Sequence, residues 1–434
     1  MTDLLKTPAS WPRPLLGRAA ANASADPTDL DAAVKAGAFE GLRKAVRTMT
    51  ASGVIAEIRA AGLRGRGGAG FPAADKWQMA AATPADRRYV VANGYGADPA
   101  ARTDALLLEL DPYAVIEGVA ITAWAIGADR AFIAVRATET EVLRRLEAAL
   151  GAAEEAGFIG PDVLGSGREL TVEVRSVQGA YLLGEETVLL KALEGKRGQP
   201  EQRPPYPAER GLFGRPTVVH NVQTLALAGW IIREGAPAFR EIGSPDAPGT
   251  ILVHVRGSGG AGVAEVPLGT PIRTILGLVG ATTRTGPVPK ALLIGGPSGG
   301  ILPAELLDTP YTFADLRAAG AHIGSGSIVA TAAEADVLEL AELLTRFCSA
   351  EACGKTIPCR IGTRRLEEIA ARINAGTPRP TDADLIGDLA ADIVASGLCD
   401  HERLATLPLT SVLRYFRAEL DARLQPVAER AAAQ

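Results

Sequence analysis

The stretch GLRGRGGAGFPAADKW, residues 62–77, decides how the chain is read. Gly62, Gly65, Gly67 and Gly68 place four glycines in seven residues. Their missing Cβ atoms let a flat ring or a phosphate lie against backbone N–H groups. Arg64, Arg66 and Lys76 add positive charge for a phosphate or for the anion of a reduced flavin. Phe71 offers a face for stacking an adenine or a nicotinamide. The bland alternative is a glycine-rich surface loop with solvated arginines, and the literal GRGGAG is not the dinucleotide fingerprint. Sixteen residues of this composition between a helix and later strands favour a cofactor site.

Outward from the loop, the spacing predicts alternating helices and strands. Upstream, a helical pattern runs over residues 30–60. Ser52 is the expected N-cap, Val54, Ile55 and Ile58 form a stripe, and Gly62 suits the left-handed C′ position. Downstream, RYVVAN (88–93) reads as a strand entering a second glycine-rich loop. Asp111 and Pro112 open a long apolar helix that Gly127 ends, and AFIAVRA (131–137) is a buried-strand run. Thr138 with Glu141 makes a capping box before the helix of Val142, Leu146 and Leu150, and LTVEV (170–174) alternates as a strand. This order implies a parallel α/β sheet up to about residue 240.

Beyond it, ILVHVRG (251–257), AEVPLG (264–269), ALLIGG (291–296) and SIVAT (327–331) read as short strands around one helix, 272–279. That suits a small β-grasp-like module. From residue 332 the pattern is helical, with cysteines at helix ends. The expected organisation is an N-terminal arm wrapping a neighbour (1–30), an α/β domain (31–240), a β-grasp-like module (241–331) and a helical bundle (332–434).

A chain of 434 residues with 47% hydrophobic and 22% charged residues has the composition of a globular protein. Its net charge of −5, with no basic cluster interleaved with aromatics, argues against a nucleic-acid binder. The N-terminus lacks the layout of a signal peptide. The longest apolar run, 115–127, contains Glu117 and is too short to span a bilayer, so no transmembrane segment is expected. The expectation is a cytoplasmic protein able to sit peripherally on a membrane complex.

Three further stretches carry chemistry. In GAYLLGEETVLLKALEG (179–195), Tyr181 precedes a turn at Gly184, and Glu185 and Glu186 open a helix. First-turn acids are favoured by the helix dipole, yet the same pair could hydrogen-bond a nicotinamide amide or ribose hydroxyls. In PPYPAERGLFGRPTVVHNVQTLA (204–226), Tyr206 could stack on an adenine, and Asn221 and Thr224 are polar groups in an apolar run. A proline-braced connector followed by a helix capped at Asn221 explains the segment equally well. The chain has four cysteines, and Cys348, Cys353 and Cys359 fall within twelve residues, with Cys399 apart. In a reducing compartment that clustering favours metal or cluster ligation over disulfides. In EACGKTIPCR (351–360), however, the spacing is C-x5-C with Thr356 midway.

Together GLRGRGGAGFP, GEET and PPYPA…GLFGRPT resemble the family of NADH- and FMN-binding subunits of respiratory complex I, which includes the diaphorase subunits of NAD-linked formate dehydrogenases and hydrogenases. The match spans residues 30–425. The resemblance implies an α/β flavin and NADH domain, a β-grasp (SLBB-like) module and a C-terminal helical bundle with an iron–sulfur site. It implies hydride acceptance from NADH by FMN and one-electron delivery to iron–sulfur centres. By motif, Gly65, Arg66, Gly67, Gly68, Lys76, Asn93, Tyr181, Gly184, His220, Asn221 and Thr224 would surround FMN. Phe71 and Tyr206 would stack the NADH adenine. Glu185, Glu186 and Asp98 are the catalytic candidates at the nicotinamide end. Cys353, Cys359 and Cys399 would hold the cluster. The implied partners are iron–sulfur subunits, a [2Fe–2S] subunit and a larger dehydrogenase or hydrogenase subunit.

The sequence departs from the family at three places. The family's NADEGEPGT is here NGYGADPAA (93–101), so only Asp98 stands for its acids. Its NNVET is HNVQT (220–224), and its SCGxCxPC is ACGKTIPC (352–359). A threonine hydroxyl is a poor substitute for thiolate. Three outcomes stay open: a three-cysteine cluster with an open or non-cysteine corner, for which His401 is a candidate; recruitment of Cys348, which helical geometry opposes; or no cluster. Two other functions also stay open, a non-catalytic scaffold and a flavoprotein with an altered donor.

Overall fold

The computed structural model of the chain describes residues 5–21, 23, 25–281 and 288–425. Residues 1–4, 22 and 24 of the expected arm and 426–434 of the expected bundle lie outside the described residues.

Four strands, β1 (Tyr89–Gly94), β2 (Arg130–Arg136), β3 (Thr171–Val177) and β4 (Thr217–Asn221), form a parallel sheet in the order β3-β2-β1-β4. The first three follow the apolar runs of the sequence. β4 replaces the expected connector; a short run behind a proline carries too little periodicity to mark a strand. β2 and β3 lie on one side of β1 and β4 on the other, so the winding reverses between β1 and β4. In such sheets ligands bind beyond the carboxyl ends of the strands flanking that reversal.

The helices Pro112–Ile126 and Val222–Glu234 cover the sheet and bury an aliphatic core. Gly118 lets them cross: a Cβ there would stand 2.0 Å from the Leu225 carbonyl oxygen. Asp111, Pro112 and Gly127 bound the first helix as expected, and Gly62 ends the Ala51–Ala61 helix with φ +69°. Two caps differ from expectation. Thr50 rather than Ser52 accepts from the Gly53 N–H, at 3.0 Å. Thr138 and Glu141 form no capping box, because Glu141 is held by Arg144 and Arg145 at 2.8 and 2.6 Å.

After a two-strand pair, β5 (Gly243–Ser244) and β6 (Ala247–Pro248), comes a second sheet. It comprises β7 (Thr250–Gly257), β8 (Gly260–Pro267), β9 (Ala291–Ile294), β10 (Gly300–Pro303) and β11 (Ser327–Ala330), ordered β10-β9-β11-β7-β8. β7 and β11 are parallel and the other pairs antiparallel. From Val337 to Leu424 the chain is helical with short connections.

Part of the N-terminal arm, from Leu5 to Leu16, lies on this chain's own second sheet. Lys6 N–H donates to Val263 O at 2.9 Å, and the Leu15 and Leu16 N–H groups donate to the Glu265 carboxylate at 2.8 and 2.9 Å. The reason is Glu265 itself. Its fully buried carboxyl, which burial pushes up to about 7, takes its donors from the arm and from Thr250.

Candidate functional site

The parallel register pairs Asn93 with Asn221 at the carboxyl ends of β1 and β4, at the reversal. The glycine loop closes over this point. Gly65 N–H donates to Phe71 O at 2.9 Å and Arg64 Nη1 to Gly70 O at 3.2 Å, so the loop braces itself. At Gly70, φ is +66° and a Cβ would stand 2.7 Å from the Phe313 ring. Gly67 is exposed, and a Cβ on it would lie 3.5 Å from the Asn221 Cβ. Opposite, Asn93 Nδ2 donates to Gly184 O at 3.2 Å. Asn93 and Asn221 are half-buried and Gly184 is exposed, so one ledge presents two carboxamides and bare backbone to solvent.

Charge borders this ledge. Lys76 Nζ donates to Glu186 Oε2 at 2.7 Å and to Val219 O at 3.0 Å. Arg203 spans both acids, reaching Glu186 and Glu185 at 3.1 Å each. Glu185 also caps its helix, accepting from the Thr187 and Val188 N–H groups, while burial raises its pKa. Phe71 and Tyr206 are each 46% exposed, so both ring faces are available to a ligand.

Five residues expected at the site are directed elsewhere. Arg66 is fully buried, and its guanidinium donates to the carbonyls of Arg64, Pro248 and Thr250 at 2.7, 2.8 and 2.9 Å. Burial lowers its pKa to about 9. It ties the loop to the second sheet. Thr224, also buried, accepts from Arg66 N–H at 2.8 Å. His220 Nε2 accepts from Trp77 Nε1 at 2.9 Å inside the core, where burial holds its pKa well below the ordinary value. Asp98 is buried against Ser327 and the Ala100 N–H, with its pKa raised by burial, so it braces the second sheet. Tyr181 points to the C-terminal helices. Its hydroxyl meets Ser298 at 2.8 Å and its ring packs edge-on to Phe347 and His401.

Two residues at this site carry no mark in the sequence. Asp104 is buried behind the ledge, accepting from Asn221 Nδ2 at 2.6 Å and Gln223 Nε2 at 2.9 Å, and burial raises it to about 6. Arg203 is the other. Neither stands in a spacing that singles it out; the fold alone brings them in.

Cys359 and Cys399 are buried and Cys353 half-buried. Cys359 lies in the turn Pro358–Thr363, and Cys399 precedes the helix Asp400–Leu404. Burial first, then the Glu402 carboxylate, pushes the Cys359 thiol up to about 12. Thr356 donates its hydroxyl to Glu402, another residue that no sequence spacing marks. Among the described residues no three His, Cys, Asp or Glu side chains surround a single ion. Cys399, Cys353 and Cys348 each lie close enough to Cys359 to disfavour its thiolate, and thiols gathered in this way are the donors an iron–sulfur cluster takes.

The model of the Nuo51 FMN-binding domain matches residues 58–228, and that of the NADH-ubiquinone oxidoreductase-F iron–sulfur binding region matches residues 339–423. The chain is 40% identical to an NADH-quinone oxidoreductase subunit of Streptomyces coelicolor, over 88% of this chain and 85% of that one. It is 37% identical to NADP-reducing hydrogenase subunit HndC of Solidesulfovibrio fructosivorans, over 92% of this chain and 81% of the relative. Among solved structures, an NAD+-reducing [NiFe]-hydrogenase in the H2-reduced state superposes with a TM-score of 0.82 at 32% identity. There the match covers 90% of this chain and 65% of that chain.

Proposed function

Because the chain belongs to the NADH-quinone oxidoreductase family whose members carry the Nuo51 FMN-binding domain, we propose that it accepts hydride from NADH on FMN and passes single electrons to iron–sulfur centres of partner subunits. The carrying observation is the in-register pair Asn93 and Asn221 at the winding reversal, roofed by the glycine loop and bordered by Lys76. FMN, when bound, supplies the exchange between two-electron and one-electron chemistry.

The residues fit that group. Exposed Gly67 and Gly184 and the amides of Asn93 and Asn221 give it polar backbone and carboxamide partners, and a Cβ at Gly96 would meet nothing within 4 Å. Lys76 supplies a cation for a phosphate or an anionic ring. Arg203 holds Glu185 and Glu186 at the rim, where they would orient the nicotinamide end, and Phe71 and Tyr206 would stack the adenine. Asp104 fixes the Asn221 amide from behind. Arg66, Thr224, His220 and Asp98 serve by holding the loop and the two sheets together.

We read the second sheet with its helix Ile272–Gly277 as the β-grasp-like module and the helices after Val337 as the bundle bearing the iron–sulfur site. The partners would be a [2Fe–2S] subunit and a larger dehydrogenase or hydrogenase subunit. Among the described residues no helix is long and apolar enough to cross a membrane. A second reading, a flavoprotein with a different donor, is favoured by one observation: Asp98, the remaining acid of its loop, is turned into the protein. Titration with FMN, followed by NADH-dependent dye reduction, separates the two. Flavin binding without NADH turnover would leave only the second.

A further inference from the structure

We propose that Glu402 replaces the missing cysteine, so that the iron–sulfur cluster is held by the thiolates of Cys353, Cys359 and Cys399 and by the Glu402 carboxylate. The proposal rests on the reading above that this region holds a cluster, and it assigns the corner the sequence leaves empty.

Three observations converge on that carboxylate. First, Thr356 stands at the position where the family motif places a thiolate, and its hydroxyl donates directly to Glu402 Oε1. The carboxylate is therefore at the vacated corner. Second, Glu402 is 2% exposed and forms no ion pair among the described residues. Its partners are the Thr356 hydroxyl and the Leu398 N–H. The adjacent Arg403 is turned to Asp400 and to the Gly397 carbonyl. Buried carboxylates are ordinarily paired with cations or bound to metal, and this one has no cation. Third, Glu402 lies three residues after Cys399, in the short helix that Cys399 precedes, so one turn of chain delivers both donors.

The rivals are placed less well. Cys348 is buried in its helix with its thiol directed at the Pro297 carbonyl, 3.6 Å away. His401 donates from Nε2 to the Cys348 carbonyl at 3.0 Å, which leaves Nδ1 without a partner. That tautomer suits a ligand, but the ring packs on Tyr181 and is tied to the Cys348 carbonyl, whereas the Thr356 hydroxyl is bonded to Glu402.

A carboxylate carries the same charge as the thiolate it replaces, so the cluster keeps its usual net charge, which a threonine hydroxyl or a water would not provide. Uptake of four ferrous ions and four sulfides exchanges three S–H bonds for S–Fe bonds and releases three protons to solvent, and the resting 2+ core is reached when two electrons pass to a one-electron oxidant added to the reconstitution, such as ferricyanide. The harder oxygen donor favours a higher potential than an all-thiolate cluster.

The test is anaerobic reconstitution of the full chain with ferrous iron and sulfide, read by iron content, EPR and Mössbauer spectroscopy. The expected wild-type result is a four-iron cluster with one iron site distinct from the other three. Glu402→Ala should lose that iron and give the oxidised three-iron EPR signal, and His401→Phe should not. Adding Thr356→Cys to Glu402→Ala should restore the fourth iron, and Thr356→Cys alone should lower the midpoint potential. Where Glu402→Ala folds poorly, Glu402→Gln and the wild-type Mössbauer spectrum decide. Four equivalent irons, a three-iron wild-type cluster, no iron uptake, or a four-iron Glu402→Ala with a wild-type spectrum would each overturn the assignment. NADH-dependent dye reduction by the FMN-loaded chain needs no cluster, so its loss would count against the proposed function instead.

Discussion

Replacing Gly70 with alanine probes the glycine loop where it is tightest. A non-glycine residue at φ +66° costs about 1–2 kcal/mol. The new Cβ would also stand 2.7, 2.8 and 3.0 Å from three atoms of the Phe313 ring. That ring is buried in the core of the second sheet, and overpacking of this kind costs about 1–3 kcal/mol. The sum is about 2–5 kcal/mol. If the loop keeps its shape, this appears as lost global stability. If the loop shifts to escape the ring, FMN binding must restore it, and affinity falls by about 30-fold to a few thousand-fold. FMN titration by fluorescence quenching, run beside thermal denaturation, reads both routes. Gly96→Ala is the control. Its φ is +58° but no atom lies within 4 Å, so only the backbone cost applies. A Gly70→Ala chain with unchanged melting temperature and unchanged FMN affinity would show that neither the left-handed backbone nor the Phe313 ring constrains the loop.

Lys76→Met should weaken FMN binding by about tenfold or more, the loss of one charge-assisted contact, measured by the same titration. Arg66→Met should remove the guanidinium donors from two buried carbonyls and one half-buried carbonyl and cost about 3 kcal/mol in urea denaturation; an unchanged midpoint would show that the guanidinium holds nothing. Phe71→Ala and Tyr206→Ala should raise the KM for NADH several-fold with little change in melting temperature, since both rings are exposed. Glu265 carries the pH dependence. Its folded pKa of about 7 lies above the ordinary 4.5, so its own contribution to stability is fullest below pH 4.5 and falls by about 3 kcal/mol as pH rises to 7. Melts of Glu265→Gln across that window should show a flatter slope than wild type.

The strands β1, β2 and β3 and the caps at Asp111 and Gly127 are legible in the sequence because each is a local signal: an apolar run or a residue with one conformational use. β4, β10 and the β5/β6 pair are not, since two to five residues are too few to show a period. The site divides the same way. Gly67, Lys76, Asn93, Gly184 and Asn221 gather on one ledge as their motifs suggest. Arg66 and His220 lie in the same motifs but turn inward, because polarity alone does not say whether a side chain seeks a ligand or the protein's own carbonyls and rings. Asp104, Arg203 and Glu402 arrive by chain folding over long sequence separations, for which one sequence holds no spacing signal.

On this reading the ledge binds FMN and NADH reduces it there. The direct measurement is anaerobic visible spectroscopy of the full chain loaded with FMN, to which NADH is added. The expected result is one tightly held FMN per chain, whose oxidised absorbance bleaches on mixing. A chain that retains no FMN, or a bound FMN whose spectrum NADH leaves unchanged, would contradict it.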